Sequence, residues 1–170
     1  MKKQTFLPAA ETDKADVWAL WRACAADPNS CWNEAYPTEA ILHIDLLNEW
    51  LYIMREEGRL IGSSTLMETD DLERCGFPFA ETEAIAVLTR LCVQPALQRQ
   101  GYGSLLLTHT ENRAAQKGAR AIHLLCDVRN AAALALYARG GYRRVCEAHL
   151  YGDHFFVHEK LLPATGGGKS

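Results

Sequence analysis

Ile85-Ala86-Val87-Leu88-Thr89-Arg90-Leu91-Cys92-Val93 runs almost continuously apolar into Gln94-Pro95-Ala96-Leu97-Gln98-Arg99-Gln100-Gly101-Tyr102-Gly103-Ser104. An apolar, partly β-branched run of this length has the pattern of a central strand buried on both faces. The glycine pair that follows opens a helix through Gln116, carrying Leu105, Leu106, Leu107 and Ala114-Ala115. The order then repeats. Residues 121–128 read as a second buried strand, and 130–139 as an Ala-rich helix stopped by Gly140-Gly141. Residues 142–150 and 155–162 close the chain as two strands around Tyr151-Gly152-Asp153. Two strands each feeding a helix predict a parallel or mixed sheet with right-handed crossovers. Ligands in such sheets bind beyond the carboxyl ends of the strands, so chemistry is expected at 91–104 and 125–137.

The first half reads outward from that core. Thr5 to Ala9 is a short strand, and Asp13 is placed to cap a helix in which Ala15, Val17, Trp18, Leu20, Trp21, Ala25 and Ala26 recur at helical spacing. Asp27-Pro28-Asn29-Ser30 ends it, residues 32–37 form a polar and aromatic linker, and Thr38 opens a second helix through Leu47. Leu51-Tyr52-Ile53-Met54 and residues 60–67 read as strands joined through Glu57-Gly58. Residues 67–82 are acidic, broken by Gly76 and Pro78, and are expected to form a mobile loop. The Gly-rich stretch 163–170 is expected to be a disordered tail, which leaves one domain over 1–162.

Composition narrows the function classes. The 170 residues carry 18 Lys plus Arg against 21 Asp plus Glu, a net charge of -3, so no bulk basic field favours nucleic acid. No apolar run approaches a membrane span, and the opening residues hold too short an apolar stretch for a signal peptide, so a cytoplasmic location without membrane partners is expected. The six cysteines form no C-x-x-C pair. Cys92 and Cys126 lie inside apolar strands, where a thiol is a small hydrophobe. His154 and His158 are spaced as helical metal ligands are, but they fall in a strand-like run where they stand roughly 13 Å apart. No metal site is expected.

Gly101 and Gly103 stand between the central strand and its helix. They permit backbone N–H groups to converge on an anion at a helix N-terminus, or they meet only the dihedral demands of a tight turn. Two nucleotide readings fail on spacing. The dinucleotide fingerprint needs a third glycine. Gly166-Gly167-Gly168-Lys169-Ser170 imitates the end of a P-loop, but Pro163 stands where its first glycine belongs. Downstream, Asn130 is placed to cap a helix on which Tyr137 lies two turns along the same side, either as a core anchor or as a phenol reaching into the cleft.

Taken in order, Leu91-Cys92-Val93-x-Pro95, Gln98-x-x-Gly101-x-Gly103, Asn130-x-x-Ala133-x-x-x-Tyr137 and Gly141-Tyr142 resemble the GNAT superfamily of acetyl-CoA-dependent N-acetyltransferases. The resemblance is close over 85–145 and looser across the rest of the chain. It implies a single-domain α/β fold, with a mixed central sheet whose parallel strand pair splays apart between flanking helices. Acetyl-CoA would lie in the splay as cosubstrate, its pantetheine arm pairing against Leu91, Cys92 and Val93. Its pyrophosphate would rest on the amides of Arg99, Gln100, Gly101, Tyr102, Gly103 and Ser104, with Gln98 completing the motif. The Arg99 side chain would either add a charge contact or stay in solvent. Asn130 would help to hold the pantetheine portion. Tyr137 would donate a proton to the leaving thiolate, and the backbone at Leu91 would polarise the thioester carbonyl.

The implied reaction is direct attack by a neutral amine, so no cysteine nucleophile is required. Some relatives place a glutamate base on the central strand; here that strand offers only Arg90. Glu83, Asp70, Asp71, Asp127 and His154 remain as candidates for the base. Trp32 and Tyr36 either border an acceptor pocket or pin their linker to the sheet, and Glu83 is placed with them as an acceptor residue. The acidic 68–71 run is compatible with a cationic amine or is simply solvated. The expected substrate is a small-molecule primary amine. The alternatives are a protein or peptide amine and a non-catalytic acyl-CoA sensor, against which an intact Tyr137 argues. A homodimer paired through the terminal strands is also expected.

Overall fold

The computed structural model describes residues 2–164. The tail expected to be disordered lies outside the described residues from 165 onward. Seven strands form one sheet: β1 (Gln4–Pro8), β2 (Leu51–Glu56), β3 (Arg59–Met67), β4 (Ile85–Val93), β5 (Ala121–Asp127), β6 (Arg143–Leu150) and β7 (Asp153–Leu161). Their order is β1-β2-β3-β4-β5-β7-β6, and only β4 and β5 run parallel. Four α-helices flank the sheet: α1 (Lys14–Ala26), α2 (Glu39–Leu47), α3 (Tyr102–Gln116) and α4 (Ala131–Arg139).

The helices divide between the two faces because each carries one apolar stripe. Val17, Leu20 and Trp21 of α1 and Leu42 of α2 pack on Leu51, Ile53, Leu60 and Cys92. Leu107 and Ala114 of α3 and Tyr137 of α4 pack on Leu66, Leu88, Ile122 and Leu124. Each fully buried leucine contributes about 1.5–3 kcal/mol, so the apolar strand runs and these stripes together account for the layering. Trp21 is fully buried, and its indole N–H donates to Ser63 Oγ at 3.1 Å, which satisfies its one polar atom.

The parallel pair opens early. β4 and β5 are paired only from Ile85↔Ala121 to Val87↔His123. Beyond this, β4 stays with β3 as far as Val93, and β5 stays with β7 through Asp127. The edges of residues 88–93 and 124–127 therefore face one another across a wedge. A bulge helps to turn β4 away: Thr89 faces Thr65 and Cys92 faces Ser63, so Arg90 and Leu91 together stand opposite Ser64. Arg90 takes a φ of +48° there.

Gly62 sets how closely β3 can approach β4 beside this wedge. A Cβ at Gly62 would stand 2.5 Å from the Cys92 carbonyl oxygen and 3.1 Å from Leu106 Cδ2. The first of these is backbone within a ladder and cannot turn aside. Gly62→Ala should therefore cost about 1–3 kcal/mol, read as a lower urea midpoint at unchanged slope. Wild-type stability in that variant would show that the two strands part without cost.

One expectation for the loops is corrected, and another is given structural detail. Asp13 does not cap α1 through its side chain; it closes a 3-10 turn (Glu11–Asp13) by accepting from the Ala10 N–H at 2.8 Å, and it also pairs with Arg55. The acidic segment expected to be mobile contains a 3-10 turn (Asp71–Cys75) whose Leu72 is buried, and its far end is tied down. Phe79 stacks on His123 with ring centroids 3.6 Å apart, and the amides of Ala80 and Glu81 donate to the buried Glu159 carboxylate at 3.0 Å. The other boundaries lie within two residues or so of the expected ones. Thr38 caps α2 through the Ile41 N–H.

Candidate active site

The mouth of the wedge is a run of unengaged backbone donors. None of the N–H groups of Arg99, Gln100, Gly101, Tyr102, Gly103 and Ser104 finds a partner among the described residues; the first satisfied amide of α3 is that of Leu105, on the Gly101 carbonyl. Exposed amides at a helix start, with the dipole behind them, suit a phosphate. The loop's side chains are held elsewhere. Gln98 donates to the Val93 carbonyl at 3.3 Å, Gln100 to that of Ala96 at 3.2 Å, and the Tyr102 hydroxyl to Glu56 Oε2 at 2.8 Å. Arg99 at φ +60° and Gly101 at φ +88° turn the chain so that the amides follow one another around the curve.

The two glycines do different work. A Cβ at Gly101 would meet nothing within 4 Å, so only the left-handed backbone calls for glycine. At Gly103 a Cβ would touch only the Leu136 methyls, at 3.7 and 3.9 Å. A bulky residue at 103 would press on α4, not on a bound phosphate. Gly101→Val should weaken acetyl-CoA affinity about tenfold, whereas Gly103→Ala should change it far less. Calorimetric titration of the folded variants measures both, and equal affinities would remove the special place of Gly101.

Tyr137 lies on the α3/α4 face against the diverging half of β5. Asn130 starts its helix by accepting from the Ala133 N–H at 3.1 Å. The Tyr137 ring is buried, edge-on to Tyr142 at 5.4 Å and 6.2 Å from His158. Burial first, and then nearby Cys126, raise its phenol above the ordinary tyrosine range, so it stays protonated. Its hydroxyl is not among the buried polar atoms left without a partner in the described residues, whereas that of neighbouring Tyr142 is. Cys126 is pushed up to about 12 by burial, and Cys92 is buried 3.5 Å from Ser63 Oγ; neither offers an exposed thiolate.

On the opposite face the linker between α1 and α2 crosses the wedge. Arg22 holds it by donating to the carbonyls of Asn33, Glu34 and Pro37. Trp32 packs edge-on to both Trp21 and Tyr36. The linker residues Asn29, Ser30, Cys31 and Trp32, with Arg129 and Asp153 across from them, line a cavity of about 520 Å³. Tyr151, in the β6–β7 turn, has its phenol raised by partial burial and then by the carboxylates of Asp70 and Asp71, with Tyr36 close by. Trp32 and Tyr36 thus stand together on this linker, with Tyr151 and the carboxylates of Asp70 and Asp71 on the same side.

Glu83 does not join them. It precedes β4 at the paired end, is exposed, and sits 3.6 Å from Arg120; along the strand it is roughly 23 Å from Arg90. The wedge opens the other way. Asp127 is fastened by Arg129, whose Nε and Nη2 reach its two oxygens at 2.9 and 2.6 Å and hold its carboxyl below the ordinary range, which makes it a weak base. His154 pairs with Glu147 at 2.9 Å and stacks on His149. Sequence reasoning missed the linker cavity and the pair formed by Arg90 with Asp45. The one signal for the latter was a lone charge in an apolar strand.

The chain matches the family model described as Acetyltransferase (GNAT) family over residues 17–142. Solved structures share the fold. A GNAT-family acetyltransferase from Streptococcus agalactiae superposes with a TM-score of 0.79 at 11% identity, over 94% of this chain and 96% of the other. The Escherichia coli ribosomal-protein-S18-alanine N-acetyltransferase gives 0.73 at 19%, over 99% of each chain. The Salmonella typhimurium protein yncA, solved with its cofactor acetyl-CoA, gives 0.71 at 16%, also over 99% of each. No curated protein sequence is matched. With a family match over most of its length, the chain belongs to the GNAT acetyltransferase family, whose general activity is acetyl-CoA-dependent N-acetyl transfer.

Proposed function

We propose that this protein transfers acetyl from acetyl-CoA to the primary amine of a small cationic molecule, with Tyr137 as the general acid. The observation that carries the reading is the uninterrupted run of free amides at 99–104, set at the mouth of a wedge whose β5 side, at Leu124 and Cys126, packs in one cluster with Tyr137. Acetyl-CoA supplies an acetyl group activated as a thioester. The amides of Arg99–Ser104 bind its pyrophosphate. The open edge of Leu91, Cys92 and Val93 pairs with the pantetheine amides as a neighbouring strand would. Leu91 lies in the bulge, and its N–H polarises the thioester carbonyl. The Tyr137 hydroxyl gives its proton to the sulfur as the bond to carbon breaks.

The aromatic and acidic groups on this side support that acceptor class. Tyr36 and Tyr151 with Asp70 and Asp71 favour a cation, through aromatic faces and charge together. A second reading, acetylation of a peptide N-terminus, is favoured by the full-length likeness of fold to the ribosomal-protein-S18-alanine enzyme. A panel of diamines, neutral amines, amino acids and peptides with free N-termini, followed by thiol release from acetyl-CoA, separates them. Turnover of small diamines supports the first reading, and turnover of peptides alone supports the second. Tight acetyl-CoA binding with no turnover would leave a sensor. β6 is an edge strand, and we propose that copies pair there; sedimentation showing only monomer across concentrations would reject this.

A further inference from the structure

Arg90 is the one charged residue of β4, and it is held where a charge is costly. Its side chain is 11% exposed, and that of its partner Asp45 on α2 is 1% exposed. Nε donates to Asp45 Oδ2 and Nη2 to Oδ1, each at 2.8 Å, a two-point fit that a lysine cannot make. The Thr65 hydroxyl gives Asp45 a third bond at 2.7 Å, and Arg90 Nη1 donates to the Tyr36 hydroxyl at 3.3 Å. The same residue holds a φ of +48°, which a side chain of this bulk adopts only at a cost in free energy. Backbone strain and a buried ion pair coincide at the residue just before Leu91.

We propose that the Asp45–Arg90 pair is a positioning device. It holds residue 90 in the left-handed bulge that turns the Leu91 N–H into the wedge, and through Tyr36 it registers the acceptor-side linker to the same point. A buried ion pair is a poor source of net stability, since apolar replacements of equal volume often serve as well. What it supplies here is one conformation. Released from Asp45, residue 90 relaxes toward extended backbone; the extra residue of the bulge is then absorbed, and the facing of Leu91 shifts. Arg90 acts through Leu91 and is not itself a catalytic residue. The proposal rests on the acetyl-transfer reading for its purpose but not for its geometry.

Two double variants test it: Arg90→Met with Asp45→Asn, and Arg90→Gly with Asp45→Asn. Both remove the pair without stranding a charge, but only glycine takes the positive φ freely. In the free, ¹⁵N-labelled protein, the Leu91 amide of the methionine variant should change in chemical shift and hydrogen exchange, while that of the glycine variant stays near wild type. With acetyl-CoA labelled at the carbonyl carbon, the bound C=O stretch should return toward its aqueous value in the methionine variant. Single-turnover transfer there should fall about 10–100-fold, with coenzyme affinity within about threefold. The glycine variant should recover most of both at a similar melting temperature. If the two variants give the same Leu91 amide and the same carbonyl stretch, whether wild-type or equally lost, the positioning role is overturned. A wild-type protein that transfers no acetyl overturns the activity reading instead, because the amide readout in the free protein decides the bulge on its own.

Discussion

Tyr137→Phe should transfer acetyl in a single turnover roughly 10²–10⁴-fold more slowly than the wild type. Three features of the site make this the sharpest test. The ring packs against Tyr142 and near His158, and phenylalanine preserves those contacts. Phenylalanine adds no polar atom in place of the hydroxyl, so the fold should hold. Burial keeps the phenol protonated, which suits a donor to a developing thiolate. The deficit belongs to the chemical step, so acetyl-CoA affinity should change little. Steady-state turnover understates it where product release limits the wild type, which is why the single turnover is the measurement. A folded variant that transfers at the wild-type single-turnover rate would remove Tyr137 as the acid.

The largest effect on stability is expected at Glu159, far from the chemistry. Its side chain is buried and gathers four donors: the amides of Ala80 and Glu81, His123 Nε2 at 3.1 Å and Arg143 Nη2 at 3.0 Å. Replacement by leucine leaves the two amides and the fully buried ring without their acceptor, at a cost of about 3–5 kcal/mol, or a fall in Tm of roughly 10 °C. Burial alone would raise this carboxyl. The amides of Glu81 and Ala80, with His123 and Arg143, outweigh burial and hold it below the ordinary range. A carboxyl depressed on folding contributes stability that is whole above about pH 4.3 and is lost as pH falls through its folded value. Glu159→Gln should therefore lose less at neutral pH and show a shallower decline below about pH 4. Thermal melts over that pH range would expose the reverse, an unchanged acid slope, as evidence that other carboxylates govern it.

These two residues differ in how they could be read from the chain. Tyr137 stands at a fixed interval from Asn130 on an uninterrupted helix, and its placement follows from helical geometry and a side-chain cap. The strand at 85–93, the glycine turn and the order of strand and helix were legible for the same reason: each depends on periodicity and turn chemistry within a few residues. Glu159 is, in the sequence, one polar residue of the closing strand run 155–162. Its partners come from a loop, another strand and a hairpin, 16 to 79 positions away.

The acceptor side shows the limit most plainly. Glu83 looked available because it is acidic and next to the central strand, yet strand direction carries it to the paired end of β4. Arg90 looked like an oddity in an apolar run until α2 brought Asp45 across 45 positions to meet it. By itself the sequence determined which segments are strands and helices and where the chain turns on glycine, because local backbone preference decides those. Only the tertiary structure decided where β4 bulges, what anchors the acidic loop and which carboxylates are engaged, because buried charges choose their partners by packing between distant segments, and no spacing along the chain encodes that choice.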